Sequence, residues 1–204
     1  NGLPESPKNN NYKVIAHGAR MAGYSKVSNN NWAINPVPYD GRNACDQIGY
    51  CFQGCKSGAK WSTLYTDIPR AEATGRCEVR PHSMALRVEH DDAGRASGVL
   101  YADKTGSHHV QKARVVAVAG NAIETPRLLL NSTSAQFPDG LANSSGLVGK
   151  NLMHHPAGVV VGLFNEWVGT DDGGPRGSTM LSQEFYETDT NRGFVRGYDL
   201  QVLA

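Results

Sequence analysis

The sequence lacks the patterns that mark several common functional classes. None of its 23 glycines forms the G-x-G-x-x-G turn that binds the pyrophosphate of a dinucleotide. A net charge of +1, with no Lys/Arg run interleaved with aromatic residues, argues against a nucleic-acid partner. No apolar run approaches the ~20 residues that span a bilayer, so we expect no transmembrane segment in this chain.

Glycine and proline, by contrast, are plentiful. A hydrophobic fraction of 39% with 19% charged residues is typical of a globular protein rich in loops. A length of 204 residues allows one ordinary domain or a piece of a larger protein. Between residues 28 and 62 no periodicity is visible and turn-forming Asn, Pro and Gly dominate. Long ordered loops of this kind usually carry function.

Local patterns predict a mixture of helices and strands. Three segments are predicted helices: residues 12–22, 67–74 and 123–130. The first has one apolar face and is followed by Gly23 as a left-handed cap, the second has Pro69 in its first turn and Gly75 at its end, and the third consists of helix-forming residues. Alternating or β-branched residues separated by turns predict a β-meander: residues 77–89, 98–102 and 110–111. An apolar run at 114–119 predicts a buried strand that a small-residue turn joins to the third helix. Residues 158–164 and 192–203 are plausible strands of a second sheet.

Three of the four cysteines lie in the turn-rich loop. Cys45, Cys51 and Cys55 form a C-x5-C-x3-C pattern with Gly49 and Gly54 between them. Thiolates ligate iron–sulfur clusters, and glycine-bearing loops supply the backbone N–H donors that clusters favour. The alternatives are a disulfide, unpaired buried thiols or a zinc site, although zinc would normally need a fourth ligand that no His in this loop supplies. Spacing alone favours a structural or disulfide role over a cluster.

Longer motifs give the chain a family resemblance. The segments VVAVAGNAIETPRLLL (residues 115–130) and GLANSSGLVGKNLM (140–153) resemble, in order, the second signature region of glucose–methanol–choline (GMC) oxidoreductases. Upstream, YDGRNAC (39–45) and GCKSGAKWS (54–62) resemble that family's branch of sugar, sugar-acid and sugar-alcohol dehydrogenases. The resemblance covers nearly the whole chain and thins after about residue 164.

The resemblance implies a fold and its division. It implies an α+β or α/β fragment of a GMC-type fold, which combines part of the FAD-binding domain with part of the substrate-binding sheet domain. Residues 1–60, with the cysteine loop, and residues 135–204 would belong to the substrate side. Residues 61–134 would belong to the FAD-binding domain.

The same resemblance implies FAD as the cofactor. Backbone near Ala85 and the turn of Ala119 and Gly120 match positions that contact the adenosine part of the flavin in the family. Asn121 stands where many members have glycine, and Asn also tolerates left-handed backbone.

The resemblance also reverses the order of the cysteine interpretations. Several flavin dehydrogenases of this branch carry a 3Fe-4S cluster on cysteines of this spacing. We therefore expect Cys45, Cys51 and Cys55 to be its ligands. Cys77 is not expected to be a ligand, because it is predicted to begin a strand outside the loop.

The resulting hypothesis is a segment of an FAD-dependent dehydrogenase. It would oxidise an alcohol group of a sugar-like substrate and pass electrons to an external acceptor, such as a cytochrome or a small partner subunit. The family places the glycine-rich pyrophosphate turn upstream of Asn1 and the catalytic His pair, or His and Asn, beyond Ala204. The alternative is an electron-relay or partner-docking module, or an inactive truncated fragment, that does not bind flavin by itself. The sequence leaves the cellular compartment open.

Overall fold

The computed structural model of the chain describes residues 2–49, 51, 53–168 and 179–202. In chain order its elements are α1 (Asn10–Met21), β1 (Ser28–Asn29), α2 (Asp67–Ala73), β2 (Met84–His90), β3 (Ala96–Ala102), β4 (His108–Lys112), α3 (Asn121–Asn131), β5 (Met180–Ser182), a 3₁₀ turn (Thr190–Arg192) and β6 (Leu200–Gln201). This mixture of helices and small sheets confirms the predicted fold class. Within the described part of the chain, no helix combines the length and apolar character needed to cross a membrane.

The elements belong to two compact units. One contains Asn1–Cys77 and Val161–Ala204, so it is discontinuous in sequence, and the other is the continuous stretch Glu78–Val160. The sequence-based division falls instead after residues 60 and 134. Which segments bind flavin and which bind substrate stays a prediction.

Helix α1 has well-defined ends. The buried side chain of Asn9 accepts a hydrogen bond from the Tyr12 N–H at 2.8 Å, which satisfies one of the unpaired donors of the first turn. At the other end Gly23 has a φ of 94°, a conformation that costs glycine nothing. The N–H groups of Gly23 and Tyr24 then close the last turn as a Schellman motif. The predicted helix and its glycine stop are confirmed.

The core of the discontinuous unit lies between α1 and a three-stranded antiparallel sheet of order β1-β5-β6. Its buried members are Tyr12, Ala16, Ala19 and Met180. The strand predicted over residues 192–203 is therefore largely wrong, since only Leu200–Gln201 pairs and a 3₁₀ turn precedes it. Residue 203 lies outside the described residues.

The continuous unit is built on the predicted meander, with antiparallel strands in the order β2-β3-β4. Helix α3 is fastened to β2 by the Ser132 hydroxyl. It accepts from the buried Val88 N–H at 2.9 Å and donates to the Leu128 carbonyl at 2.6 Å. A second bond joins His90 Nε2 and Ser134 Oγ at 2.8 Å. These two bonds join the C-terminal end of β2 to the residues that follow α3.

Three strand predictions near these elements are wrong. Residues 114–119 form no regular secondary structure, no described strand pairs with them, and Val115 is 81% exposed. Residues 158–164 are likewise unpaired, with Val160 96% exposed. An apolar run forms a buried strand only where neighbouring strands supply hydrogen bonds on its edges. Cys77 does not begin a strand, because β2 starts at Met84.

The Val88–Ser132 junction predicts a sharp stability effect. In the full-length protein, Ser132→Ala leaves the buried Val88 N–H without a partner and should lower the free energy of unfolding by ~1–3 kcal/mol. The exposed Ser83→Ala should stay within ~0.5 kcal/mol of wild type. Urea denaturation compares the two. Equal unfolding midpoints for both variants would show that the junction does not hold α3 on β2.

Candidate functional site

Ala85 lies at an irregular point of β2. It pairs with Tyr101, whereas Arg87 pairs with Leu100, so Leu86 is an extra residue on this strand and forms a β-bulge. Bulges bend a strand, re-aim its side chains and are frequent next to functional sites. The methyl side chain of Ala85 is exposed. A flat ligand could therefore reach the backbone here without steric hindrance from a long side chain.

The turn before α3 has the left-handed geometry expected of Asn121. Its φ is 62°, and its side-chain oxygen accepts hydrogen bonds from the N–H groups of Ile123 at 2.8 Å and Glu124 at 3.2 Å. The Gly120 N–H donates to the Thr125 hydroxyl at 2.9 Å. The turn thus uses two N–H groups of the first helical turn internally. A ligand would meet the remaining backbone rather than an open helix end.

Gly120 packs closely against the first turn of α3, a contact that the sequence does not reveal. A Cβ added at this position would lie 3.2 Å from both Glu124 Cβ and the Thr125 nitrogen, which is closer than ordinary van der Waals contact. A side chain at this position would therefore require the start of α3 to shift by a few tenths of an ångström, whether or not a cofactor is bound. The neighbouring Ala119 is exposed and carries no such constraint.

The predicted flavin residues thus all lie in one unit. Ala119, Gly120 and Asn121 are contiguous at the start of α3, and Ala85 is on the strand against which that helix packs. Their contact with a flavin stays a prediction.

The cysteine loop is closed by a short antiparallel contact. Ile34 and Lys60 form an isolated β-bridge. The Asn35 N–H donates to the Ala59 carbonyl at 3.0 Å, and the Trp61 N–H donates to the Ala33 carbonyl at 2.7 Å. These bonds bring the two ends of the cysteine-bearing segment together.

The side chain of Arg42 forms hydrogen bonds to three oxygen atoms of the loop. Arg42 Nη1 donates to the carbonyls of Gly58 at 3.3 Å and Ala59 at 2.9 Å, and Nη2 donates to the Asn35 side-chain oxygen at 3.2 Å. Asn35 is 2% exposed and donates in turn to the Tyr39 carbonyl at 3.0 Å. Arg42 lies inside the motif at residues 39–45, but its type and position in the sequence indicate no role.

The sulfur of Cys55 is surrounded by hydrogen-bond donors. Burial, the largest single influence, raises the pKa of this thiol, but hydrogen bonds from its own turn outweigh burial and lower the pKa below its ordinary value. The donors are the Lys60 N–H at 3.3 Å and the N–H groups of residues 58 and 59. The Ser57 hydroxyl lies 3.6 Å from the sulfur, and its hydrogen bond also lowers the pKa. Such donors stabilise negative charge on sulfur.

The other two loop thiols lie within electrostatic range. Burial raises the pKa of the Cys45 thiol, against the lowering effect of a hydrogen bond from the Gln47 N–H at 3.4 Å. Negative charge on Cys51 and Cys55 raises it further, so Cys45 senses both of them. All four cysteines are free thiols, and Cys77 is exposed outside the loop.

The described side chains do not form a site for a single metal ion. Among residues 2–49, 51, 53–168 and 179–202, no three His, Cys, Asp or Glu side chains are grouped closely enough to hold one. The loop thiols as cluster ligands therefore stay a prediction. A cluster differs from a single ion in that each thiolate binds a different iron atom, so its ligand sulfurs lie further apart.

Comparison with known proteins agrees with the resemblance. The family profile described as GMC oxidoreductase matches residues 3–157. A 2-methyl-1,2-propanediol dehydrogenase from Mycolicibacterium austroafricanum is 41% identical over 171 residues, which are 83% of this chain and 31% of the relative. The fructose dehydrogenase large subunit of Gluconobacter japonicus is 37% identical over 61% of this chain and 22% of its own length. Paromamine 6'-oxidase of Streptomyces fradiae is 32% identical over 79% of this chain and 30% of its own.

These matches establish the family but only part of the protein. The chain spans no more than about a third of the length of these three curated relatives. The family profile covers more than half of the chain, and the names of the chain's relatives include a diol dehydrogenase, a fructose dehydrogenase and a long-chain-alcohol oxidase. This chain belongs to the FAD-dependent GMC oxidoreductases.

Proposed function

We propose that this chain is part of a flavin dehydrogenase that oxidises an alcohol group of a sugar-like substrate by hydride transfer to FAD. Electrons would leave through a 3Fe-4S cluster on Cys45, Cys51 and Cys55 to an external acceptor such as a cytochrome. The substrate class is supported by the names of the relatives, which include dehydrogenases of a diol and of fructose. FAD accepts the two electrons of the hydride, and a cluster supplies one-electron transfer.

The observation that carries the cluster proposal is the hydrogen bonding of the sulfurs. Backbone N–H groups donate to Cys55 from Lys60 and to Cys45 from Gln47. Such N–H donors stabilise thiolate ligands and adjust the reduction potential of iron–sulfur clusters. Gly54 and Gly58, with φ of 116° and 70°, allow the backbone to turn around the Cys55 sulfur.

The carbonyl groups of Cys51 and Cys55 also have hydrogen-bond partners within the loop. Lys60 Nζ donates to the Cys51 carbonyl at 2.8 Å, and its ammonium lies 5.7 Å from the centre of the Trp32 ring. The Tyr65 hydroxyl donates to the Cys55 carbonyl at 3.0 Å. These contacts bind the loop carbonyls, while N–H groups of the same loop donate to the sulfurs of Cys55 and Cys45.

On the flavin side, the chain's own contribution would be close backbone approach. Ala85 and Ala119 have exposed one-carbon side chains. Asn121 stabilises the turn before α3, because its side-chain oxygen accepts hydrogen bonds from the first turn of that helix. Small side chains beside a rigid turn let a planar ligand contact the main chain.

The cluster proposal predicts different effects at two cysteines of the full-length protein. Cys51→Ser should abolish the paramagnetic signal of the cluster and slow cytochrome reduction, while flavin reduction by substrate survives. Hydride transfer to flavin precedes electron export. The exposed Cys77→Ser is the matched control and should keep the signal, with a stability change within ~0.5 kcal/mol. Electron paramagnetic resonance and stopped-flow absorbance measure the two steps. A wild-type signal in Cys51→Ser would refute the assignment.

The flavin proposal predicts that bulk at Ala85 weakens cofactor retention. In the full-length protein, Ala85→Phe should weaken FAD binding at least ~10-fold, about 1.4 kcal/mol, because the ring occupies the space that the flavin needs. Ala93→Phe places the same ring on an exposed turn of the same meander and should retain FAD. Flavin absorbance per protein and FAD dissociation on dilution measure the difference. Equal retention by the two variants argues that Ala85 is remote from the cofactor.

A further inference from the structure

Arg42 has no ion-pair partner among the described residues of the cysteine loop. Its Nε is buried and has no hydrogen-bond partner among the described residues. The Asp40 carboxylate senses the charge of Arg42, but its contact partner is Arg70, at 2.6 Å. The guanidinium is bound instead by neutral oxygens, those of the Gly58 and Ala59 carbonyls and the Asn35 amide. Its charge is therefore not neutralised by contact with a carboxylate in the described part of the chain.

The two backbone carbonyls belong to peptide groups that end at the Cys55 sulfur. The Ala59 carbonyl shares its peptide group with the Lys60 N–H, which donates to Cys55 Sγ at 3.3 Å. The Gly58 carbonyl shares its peptide group with the Ala59 N–H, which also stabilises charge on this sulfur. Two peptide groups thus lie between the guanidinium and the sulfur. In each, the carbonyl accepts a hydrogen bond from Arg42 and the N–H donates one to Cys55 Sγ.

Hydrogen bonds in such a chain strengthen one another. A cation at the carbonyl oxygen draws electron density toward it, which makes the N–H at the other end a stronger donor. Charge-assisted bonds are roughly twice as strong as neutral ones. The reduced state of a thiolate-bound cluster carries more negative charge on sulfur than the oxidised state. Stronger donors therefore favour reduction.

We propose that Arg42 is a positioning residue that polarises peptide groups 58–59 and 59–60 toward the Cys55 sulfur and thereby raises the reduction potential of the cluster. This inference rests on the cluster proposed above. The planar guanidinium reaches both carbonyls and Asn35 at once, which an ammonium group cannot do with the same geometry. Arg42 would favour electron flow from the flavin onto the cluster.

The test is a redox titration of the full-length protein, purified anaerobically and followed by the paramagnetic signal of the cluster. Arg42→Met removes both the charge and the bonds, and it should shift the redox equilibrium constant at least ~10-fold toward the oxidised state, about 59 mV for a one-electron couple. Arg42→Lys keeps the charge but cannot form all three hydrogen bonds of the guanidinium, so we expect a smaller decrease in the reduction potential. Arg70→Met is the control, since it removes one positive charge from the same unit and leaves the loop carbonyls bound.

The outcomes separate this inference from the function on which it rests. Wild-type protein without iron would refute the proposed cluster itself. Wild-type protein with iron, but with an unchanged potential in Arg42→Met at full iron content, would overturn only the role of Arg42, as would an equal shift in Arg70→Met. Should Arg42→Met fail to assemble, Arg42→Lys decides: a lowered potential at wild-type iron and FAD content supports the role, and an unchanged potential contradicts it.

Discussion

The cysteine loop depends on one short backbone contact, in which residues 33–35 pair with residues 59–61. Fixing the backbone of each residue in an irregular loop costs ~1–2 kcal/mol of conformational free energy, so the loop cannot keep one shape without internal bonds. The antiparallel contact brings the ends together, and Arg42 and Asn35 then bond to the carbonyls between them. Because those carbonyls face the guanidinium, the N–H groups of the same peptides are left for the Cys55 sulfur. The chemistry proposed for the thiols follows from this arrangement.

In the continuous unit, Glu78–Val160, hydrogen bonds stabilise the turn of small residues at 119–121. The Ser132 hydroxyl bonds α3 to β2, and Asn121 shapes the turn at the opposite end of the helix. The bulge at Leu86 interrupts the regular ladder of β2 next to Ala85. These three features act locally, so each can be disturbed by a single substitution without changing the sheet. Together they would present main chain, rather than long side chains, to a flat cofactor.

Much of this architecture could be predicted from local signals. The helix at residues 12–22 and the meander were predicted because capping, turn and periodicity signals lie within a few residues of each other. The run at 114–119 misled, since apolar composition indicates burial but not the strands that provide it. Arg42 was missed because its partners are carbonyls far along the chain, which carry no side-chain signature. The close contact of Gly120 with the first turn of α3 likewise depends on three-dimensional packing.

An iron–sulfur cluster on the loop thiols is the feature on which the proposed electron transfer depends. Its most direct test is the content of iron, acid-labile sulfide and flavin in the anaerobically purified full-length protein. The account predicts about three iron atoms and about four sulfides for each FAD, as a 3Fe-4S cluster requires. Flavin without iron, or a disulfide between Cys45 and Cys51 or between Cys51 and Cys55 in the native enzyme, would contradict it. The cysteine loop would then have a structural role only, and electrons would pass from the flavin directly to a soluble acceptor.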